Sequence, residues 1–360
     1  MSSVLKLTAV AAIFVFLAAG TLLSAESIRI TSDIENESAS FEVKPKGVDR
    51  TEVNLDIPAV DITPVSLNNT NYKKVQLPTA EFLFEAEIAE DGMPDLPAIT
   101  TNIAVPDMAG IDFTVEYESF EIIDDIDIAP TQPPIPESGE DIPPFTINND
   151  FYSSDEFYPG DIAEVRDPII LRDVRMVQVV MYPVHYNPSK KQLKIYRNIS
   201  VNLSYDGENV VNPKTRRHEY ISEAFLPIYR SIVPNFDDLY SAENAQRGGY
   251  LILAKDIFVD SLKAFANWKH RKGYYVYVAP TSEIDPPNGI PNQMEVYNYI
   301  RDAYYHWDVP PEYVMIVGDV DNTVTSGIID YPYNYYTSDH SYSELEGTDY
   351  MPDLSIARFS

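Results

Sequence analysis

The chain has 360 residues, with 26 Lys and Arg against 56 Asp and Glu, a formal charge of −30, and no cysteine. Such a charge opposes nucleic acid and anionic lipid as partners. The composition also excludes disulfides and a thiolate nucleophile within these residues. The length suffices for two or three domains, each with its own core.

Met1 to Ala25 has the pattern of a secretory signal peptide: Lys6 supplies a positive charge, Leu7 to Leu23 is nearly continuous apolar sequence, and Leu23-Ser24-Ala25 offers a small residue for cleavage. No second apolar run reaches the about 20 residues that span a bilayer. The expected product is therefore exported, secreted or at the cell surface, with no membrane span after signal cleavage. From Glu26 to about Tyr205 the pattern predicts strands. Glu26 to about Thr63 is polar and acidic enough to allow partial disorder. No Lys or Arg occurs from Val75 to Val165, so this stretch offers phosphate no landing site. Residues 128–144 form a Pro-rich loop, because proline removes donors and fixes φ. Beyond it, Val177–Tyr182 and Gln192–Tyr205 alternate apolar and polar residues, and Asn187–Lys191 is a turn signal between them; the pair predicts a β-hairpin.

After Gln246-Arg247-Gly248-Gly249 the period changes. Tyr250–Ala254 is a continuous apolar strand of the kind buried on both faces. Phe258, Val259, Leu262, Phe265 and Ala266 fall on one helical face that stops at Gly273. Tyr274–Val278 is a second strand. Pro291 suits the first turn of a second helix, with Val296, Ile300, Ala303 and Trp307 as its buried stripe. Pro310-Pro311 ends it, and Tyr313–Val317 is the third strand. This βαβαβ order predicts an open parallel sheet with right-handed crossovers. Ala254-Lys255-Asp256 stands where a dinucleotide-binding glycine loop would be, which argues against that cofactor.

Two sets of residues resemble one family. Tyr182-Pro183-Val184-His185-Tyr186-Asn187-Pro188, followed by Leu193–Tyr196, is similar to the propeptide of gingipain-like cysteine peptidases, peptidase family C25, and Ser222–Asn235 resembles the helical tail of that prodomain. Gly318-Asp319, then Asp339…Tyr342, Gly347-Thr348-Asp349-Tyr350-Met351-Pro352-Asp353 and Ala357-Arg358-Phe359, resembles the N-terminal part of the catalytic domain. The resemblance implies a β-rich prodomain at 26–245 and, at 246–360, the first half of an α/β/α caspase-like domain with a mainly parallel sheet. It also implies an exported zymogen that acts on protein or peptide substrates and whose propeptide partners its own catalytic domain. The family's catalytic pair, a His in Gly-His-Gly and a strand-terminal Cys, has no counterpart here, so no catalytic residue is assigned. Truncation of a longer chain is the expectation, with a secreted non-enzymatic binding or surface-assembly protein on the same scaffold as the rival.

Arg247, in a small polar glycine-containing segment between the two parts, is the candidate propeptide cleavage site. Asp339, Glu346, Asp349 and Asp353 are closely spaced oxygen donors and the candidate ligands of a Ca²⁺ ion, a metal that the resemblance also suggests. Asp319, just past a strand's carboxyl end, is weighed as a turn residue against a ligand. Ser338-Asp339-His340 has the letters of a hydrolase triad, but adjacent side chains diverge and cannot converge on one atom.

Overall fold

The long strand Gln192–Asp206 organises the first part of the molecule. It pairs antiparallel with Val184–Asn187 and Arg50–Asp56 on one side and along its length with Gly110–Ile123 on the other. A second sheet is built on Val174–Met181, which pairs with Pro97–Ala104 and Ile169–Leu171. A third joins Ala59–Leu67 to Thr70–Gln76. The computed structural model describes residues 26–29, 39–77, 84–87, 90–137, 139, 141–287, 289–318, 327–331 and 334–359. The signal-like Met1–Ala25 and Asp319 lie outside the described residues.

Alternation sets the core of this β-rich part. Val53, Leu55, Val177, Val179, Leu193, Ile195, Val201 and Leu203 all turn inward and are fully buried or nearly so. Two expectations need correction here. Residues 40–63 form strands, and Val53, Leu55, Ile57 and Val60 are completely buried; their alternation outweighs the polar composition. The strand before the Asn187–Lys191 turn is Val184–Asn187, whereas Val174–Met181 belongs to the other sheet. Pro183 breaks the run between them, since it cannot donate to a ladder, and its carbonyl accepts from Tyr196 N–H at 2.8 Å. The Pro-rich loop is extended over residues 128–136, as expected. It is pinned by single bridges, Lys73 to Ile128 and Pro94 to Pro130.

The outer face of Val174–Met181 is covered by the helical tail. Phe225, Tyr229, Val233, Phe236 and Tyr240 pack on Ala104, Leu171, Val174 and Met176. The helix Leu226–Ile232 is short and without a side-chain cap, so packing rather than propensity holds it. Asn235 anchors its end by imitating a strand: its Oδ1 accepts from Ala104 N–H at 2.8 Å and its Nδ2 donates to Ala104 O at 3.0 Å.

The second part is a parallel sheet of β1 (Gly249–Ala254), β2 (Tyr275–Pro280), β3 (Pro311–Val317) and β4 (Ser355–Phe359), in the order β2-β1-β3-β4. Helices α1 (Val259–Arg271) and α2 (Gln293–His306) are its crossovers. Leu251 and Leu253 face α2 through Val296, Ile300, Ala303 and Tyr304. Tyr250, Ile252 and Ala254 face α1 through Leu262, Phe265 and Ala266. Burial on both faces is why β1 is apolar throughout. Helix α2 starts two residues later than Pro291 suggests: Asn292 is the cap and forms a capping box with Glu295. Tyr304 takes the buried place expected for Trp307, which is the extended C-cap.

Candidate functional site

The two parts meet at a seam lined with buried charge. In the hairpin between Ile169–Leu171 and Val174–Met181, Arg172 takes a left-handed φ of +48° and is 1% exposed. A non-glycine residue in that region is uncommon and is held by its surroundings. Its backbone N–H donates to Asp353 Oδ1 at 2.9 Å, and its Nη1 donates to the carbonyls of Asp353 and Pro311, both at 2.9 Å. The guanidinium lies 5.3 Å from the Tyr304 ring centre and 5.7 Å from that of Phe225. One side chain therefore joins the β-rich part, the helical tail, α2 and the parallel sheet.

The facing carboxylates are used in turn. Asp353 is fully buried, and its Oδ2 accepts from Leu345 N–H at 2.8 Å and Glu346 N–H at 2.6 Å. Burial pushes its carboxyl up to about 7 against the pull of these donors. Asp349 Oδ2 accepts from Ile170 N–H at 3.0 Å and Asn212 Nδ2 at 2.6 Å, and its Oδ1 accepts from Met351 N–H at 2.8 Å. Glu346 faces Lys214 Nζ at 3.6 Å, both side chains being buried, and desolvation raises the Glu346 carboxyl. Asp339 lies farther off and forms a fork with Arg358, at 2.6 and 2.9 Å. Arg358 also donates to Gly318 O at 2.9 Å.

The four acidic residues singled out in the sequence are thus divided between separate protein donors. Three of them, Glu346, Asp349 and Asp353, bind the β-rich part, and Asp339 secures the end of the sheet. Among the described residues no group of three or more His, Cys, Asp or Glu side chains converges as a metal site. The arrangement does not fit one shared Ca²⁺ ion, which needs several oxygens at about 2.3–2.6 Å. Nor do Ser338, Asp339 and His340 make a triad, since Asp339 serves Arg358 and His340 Nε2 lies 3.2 Å from Glu344.

At the junction, the Arg247 side chain is exposed. Its guanidinium pairs with both Glu223 oxygens at 3.1 Å, donates to Lys272 O and lies over the Tyr274 ring. The backbone beside it is held. Gln246 N–H donates to Ile221 O at 3.0 Å, Glu223 N–H to Gln246 O at 2.9 Å, and Gly248 and Gly249 are buried. A Cβ on Gly248 would come within 2.8 Å of Pro310 O and 2.5 Å of Glu312 Cγ, so glycine is required for this approach. Glu312 is itself fully buried and accepts from Ser222 Oγ at 2.6 Å; burial raises its carboxyl.

This chain matches the family descriptions Propeptide_C25 over residues 50–242 and Peptidase family C25 over residues 243–360. The chain belongs to peptidase family C25. Its β-rich part is a gingipain-like protease propeptide, and its parallel sheet is part of the catalytic domain. Gingipain R2 of Porphyromonas gingivalis is 29% identical over 292 residues, 79% of this chain and 38% of that protein. Lys-gingipain of the same organism is 27% identical over 315 residues, 84% of this chain and 17% of that protein. The chain therefore spans about two fifths or less of the length of these relatives. Among solved structures, the complex of Porphyromonas gingivalis RgpB pro- and mature domains is 26% identical, with a TM-score of 0.46 over 55% of this chain and 97% of that one.

Within this C25 chain, the sequence pointed to the loop Asp339–Asp353 but missed the residues that answer it. Arg172, Lys214 and Asn212 come from the propeptide and carried no motif. The one local signal was the two-residue Arg172-Asp173 interruption between the apolar run Ile169–Leu171 and the mostly apolar strand Val174–Met181, which marks a hairpin loop.

Proposed function

We propose that the chain is the latent front portion of an exported gingipain-like cysteine endopeptidase precursor. The propeptide grips the catalytic part through the seam and keeps it from protein or peptide substrates until the connection is cut. The seam carries this reading. It ties propeptide Arg172 to Asp353 of the catalytic part through backbone and guanidinium donors, and sets propeptide Lys214 against Glu346, all four residues buried. On this reading the thiolate that attacks the peptide carbonyl, and the histidine that supports it, are supplied by sequence outside these 360 residues, which contain no Cys. Export follows from the signal pattern of Met1–Ala25. Among the described residues no helix is long and apolar enough to cross a membrane.

Maturation would cut after Arg247. Its exposed side chain supports this site, while the buried glycines behind it mean that the bond becomes accessible only when the seam loosens locally. The test is N-terminal mapping of the secreted form of the complete precursor. The expected mature terminus is Gly248, found first in material whose two parts still co-elute. A terminus inside Val177–Tyr205 would overturn the division into propeptide and catalytic part.

A further inference from the structure

Strand β2 is an edge of the parallel sheet: it pairs with β1, and no other described strand lies against its outer side. Beside it is a cavity of 650 Å³ whose walls include Tyr275, Tyr277, Tyr299 and Trp307. Tyr275 and Tyr277 are 56% and 37% exposed, unusual for a strand of a parallel sheet. The rings stand nearly perpendicular to one another: Tyr277 and Trp307 are 5.1 Å apart at 73°, and Tyr299 and Trp307 are 6.2 Å apart at 88°. Edge-to-face packing of this kind sets the aromatic walls of the cavity at steep angles to one another.

Carboxylates dominate the polar groups of the cavity, with His306 among them. Glu283 accepts from the Tyr277 hydroxyl at 3.0 Å and from the Tyr299 hydroxyl, which fixes a carboxylate between two rings. Asp302, paired with His306 at 2.9 Å, and Asp308 add to the rim, and no Lys or Arg lines the space. Aromatic faces within about 6 Å of a desolvated cation attract it through the ring quadrupole, and tryptophan does so best. A fixed carboxylate adds direct attraction.

We propose that this cavity and the edge of β2, unpaired among the described strands, together form a docking site for an extended peptide segment carrying lysine or arginine. The backbone of the segment would add to the sheet beside Tyr275–Tyr277, and one of its cationic side chains would enter the aromatic space. The site lies on the catalytic part and would select a basic stretch of a protein partner.

Trp268 and Trp307 are the two tryptophans of the chain, so the 360-residue protein with Trp268→Phe reports from Trp307 alone. It is titrated with a blocked peptide of alternating Lys and Val, with the same peptide bearing Glu for Lys, and with tetramethylammonium. The expected result is a saturable change in Trp307 emission with the Lys peptide, weakened about tenfold by Glu283→Gln, and little response to the Glu peptide. Asp308→Asn, on the exposed rim, should weaken binding in the same direction, and it decides the matter should Glu283→Gln lower the melting temperature. Equal binding of both peptides, or no binding, overturns the proposal. Tetramethylammonium binding as tight as that of the peptide would also overturn it, by showing a small-cation site without strand addition.

Discussion

Arg172 and Asp353 are joined in both senses. The backbone N–H of Arg172 donates to the Asp353 carboxylate, and the Arg172 guanidinium donates to the Asp353 carbonyl, each at 2.9 Å. Neither residue retains more than 1% exposure. The propeptide thus contributes a cation that the catalytic part has already prepared acceptors to receive, and removal of either partner leaves polar groups stranded out of water.

Arg172→Met is expected to cost about 2–6 kcal/mol, about 1–3 for each of two buried carbonyls left without a donor. It strands the Pro311 and Asp353 carbonyls, while methionine fills part of the space between Tyr304 and Phe225. Thermal melts and limited proteolysis measure it, with cleavage near Arg247 expected to accelerate. Arg172→Lys should recover only part of the loss, since an ammonium cannot reproduce the planar fork.

Asp353 predicts a pH slope of definite sign. Its folded value, about 7, lies above the ordinary aspartate value. Its contribution is therefore fully present below about pH 3.9 and is lost as pH rises through about 7. Unfolding midpoints of the parent protein and Asp353→Asn, compared from pH 5 to 8, should show a smaller decline with rising pH in the variant, whatever the offset between them.

His218 works in the opposite direction. Burial, aided by the neighbouring positive charges of Arg172, Lys214 and Arg216, lowers its value to about 3. Its neutral form thus supports the fold fully above about pH 6.5, and that support is lost as pH falls toward 3. His218→Gln should flatten the loss of stability between pH 6.5 and 4. A histidine whose NMR titration midpoint stayed near 6.5 would contradict this account.

Gly248→Ala should open the junction. The added methyl meets the Pro310 carbonyl as well as the Glu312 side chain, and backbone does not yield as a rotamer does, so a cost of about 1–3 kcal/mol is expected. In the secreted precursor the variant should be cut after Arg247 faster than the parent, as timed by N-terminal mapping.

Calcium should leave the melting midpoint of these 360 residues unchanged between chelator and millimolar Ca²⁺. Asp339, Glu346, Asp349 and Asp353 already have protein partners, and a ligand raises the midpoint only by binding the folded state. A calcium-dependent rise that disappears with Asp349→Ala would require the loop to rearrange around an ion.

The parallel sheet was legible because each of its signals is local. Tyr250–Ala254 is short and wholly apolar, Gly273 ends α1 with φ at +92°, and the stripe Val296, Ile300, Ala303 is a helix face. The first sheets were harder to read. Pro183 marks a break after Met181 but not that the chain changes sheets there, because alternation gives a strand's faces and not its partners. The seam was half legible: a run of acids in a loop is visible, but the propeptide residues that answer Glu346, Asp349 and Asp353 lie more than a hundred positions away. The acids considered as Ca²⁺ ligands are one side of those contacts.

The separation between Arg172 and Asp353, 181 residues, bears on the order in which the molecule is made. Every strand that packs the propeptide core has left the ribosome by Asp206, while Asp353 is still unmade. At about 5–20 residues per second, the propeptide has on the order of ten seconds or more to fold by itself before its partner exists. The Arg172 hairpin then stands ready when the loop Asp339–Asp353 emerges. A contact of such high sequence separation would otherwise be among the slowest to form, and a preformed surface turns that search into docking.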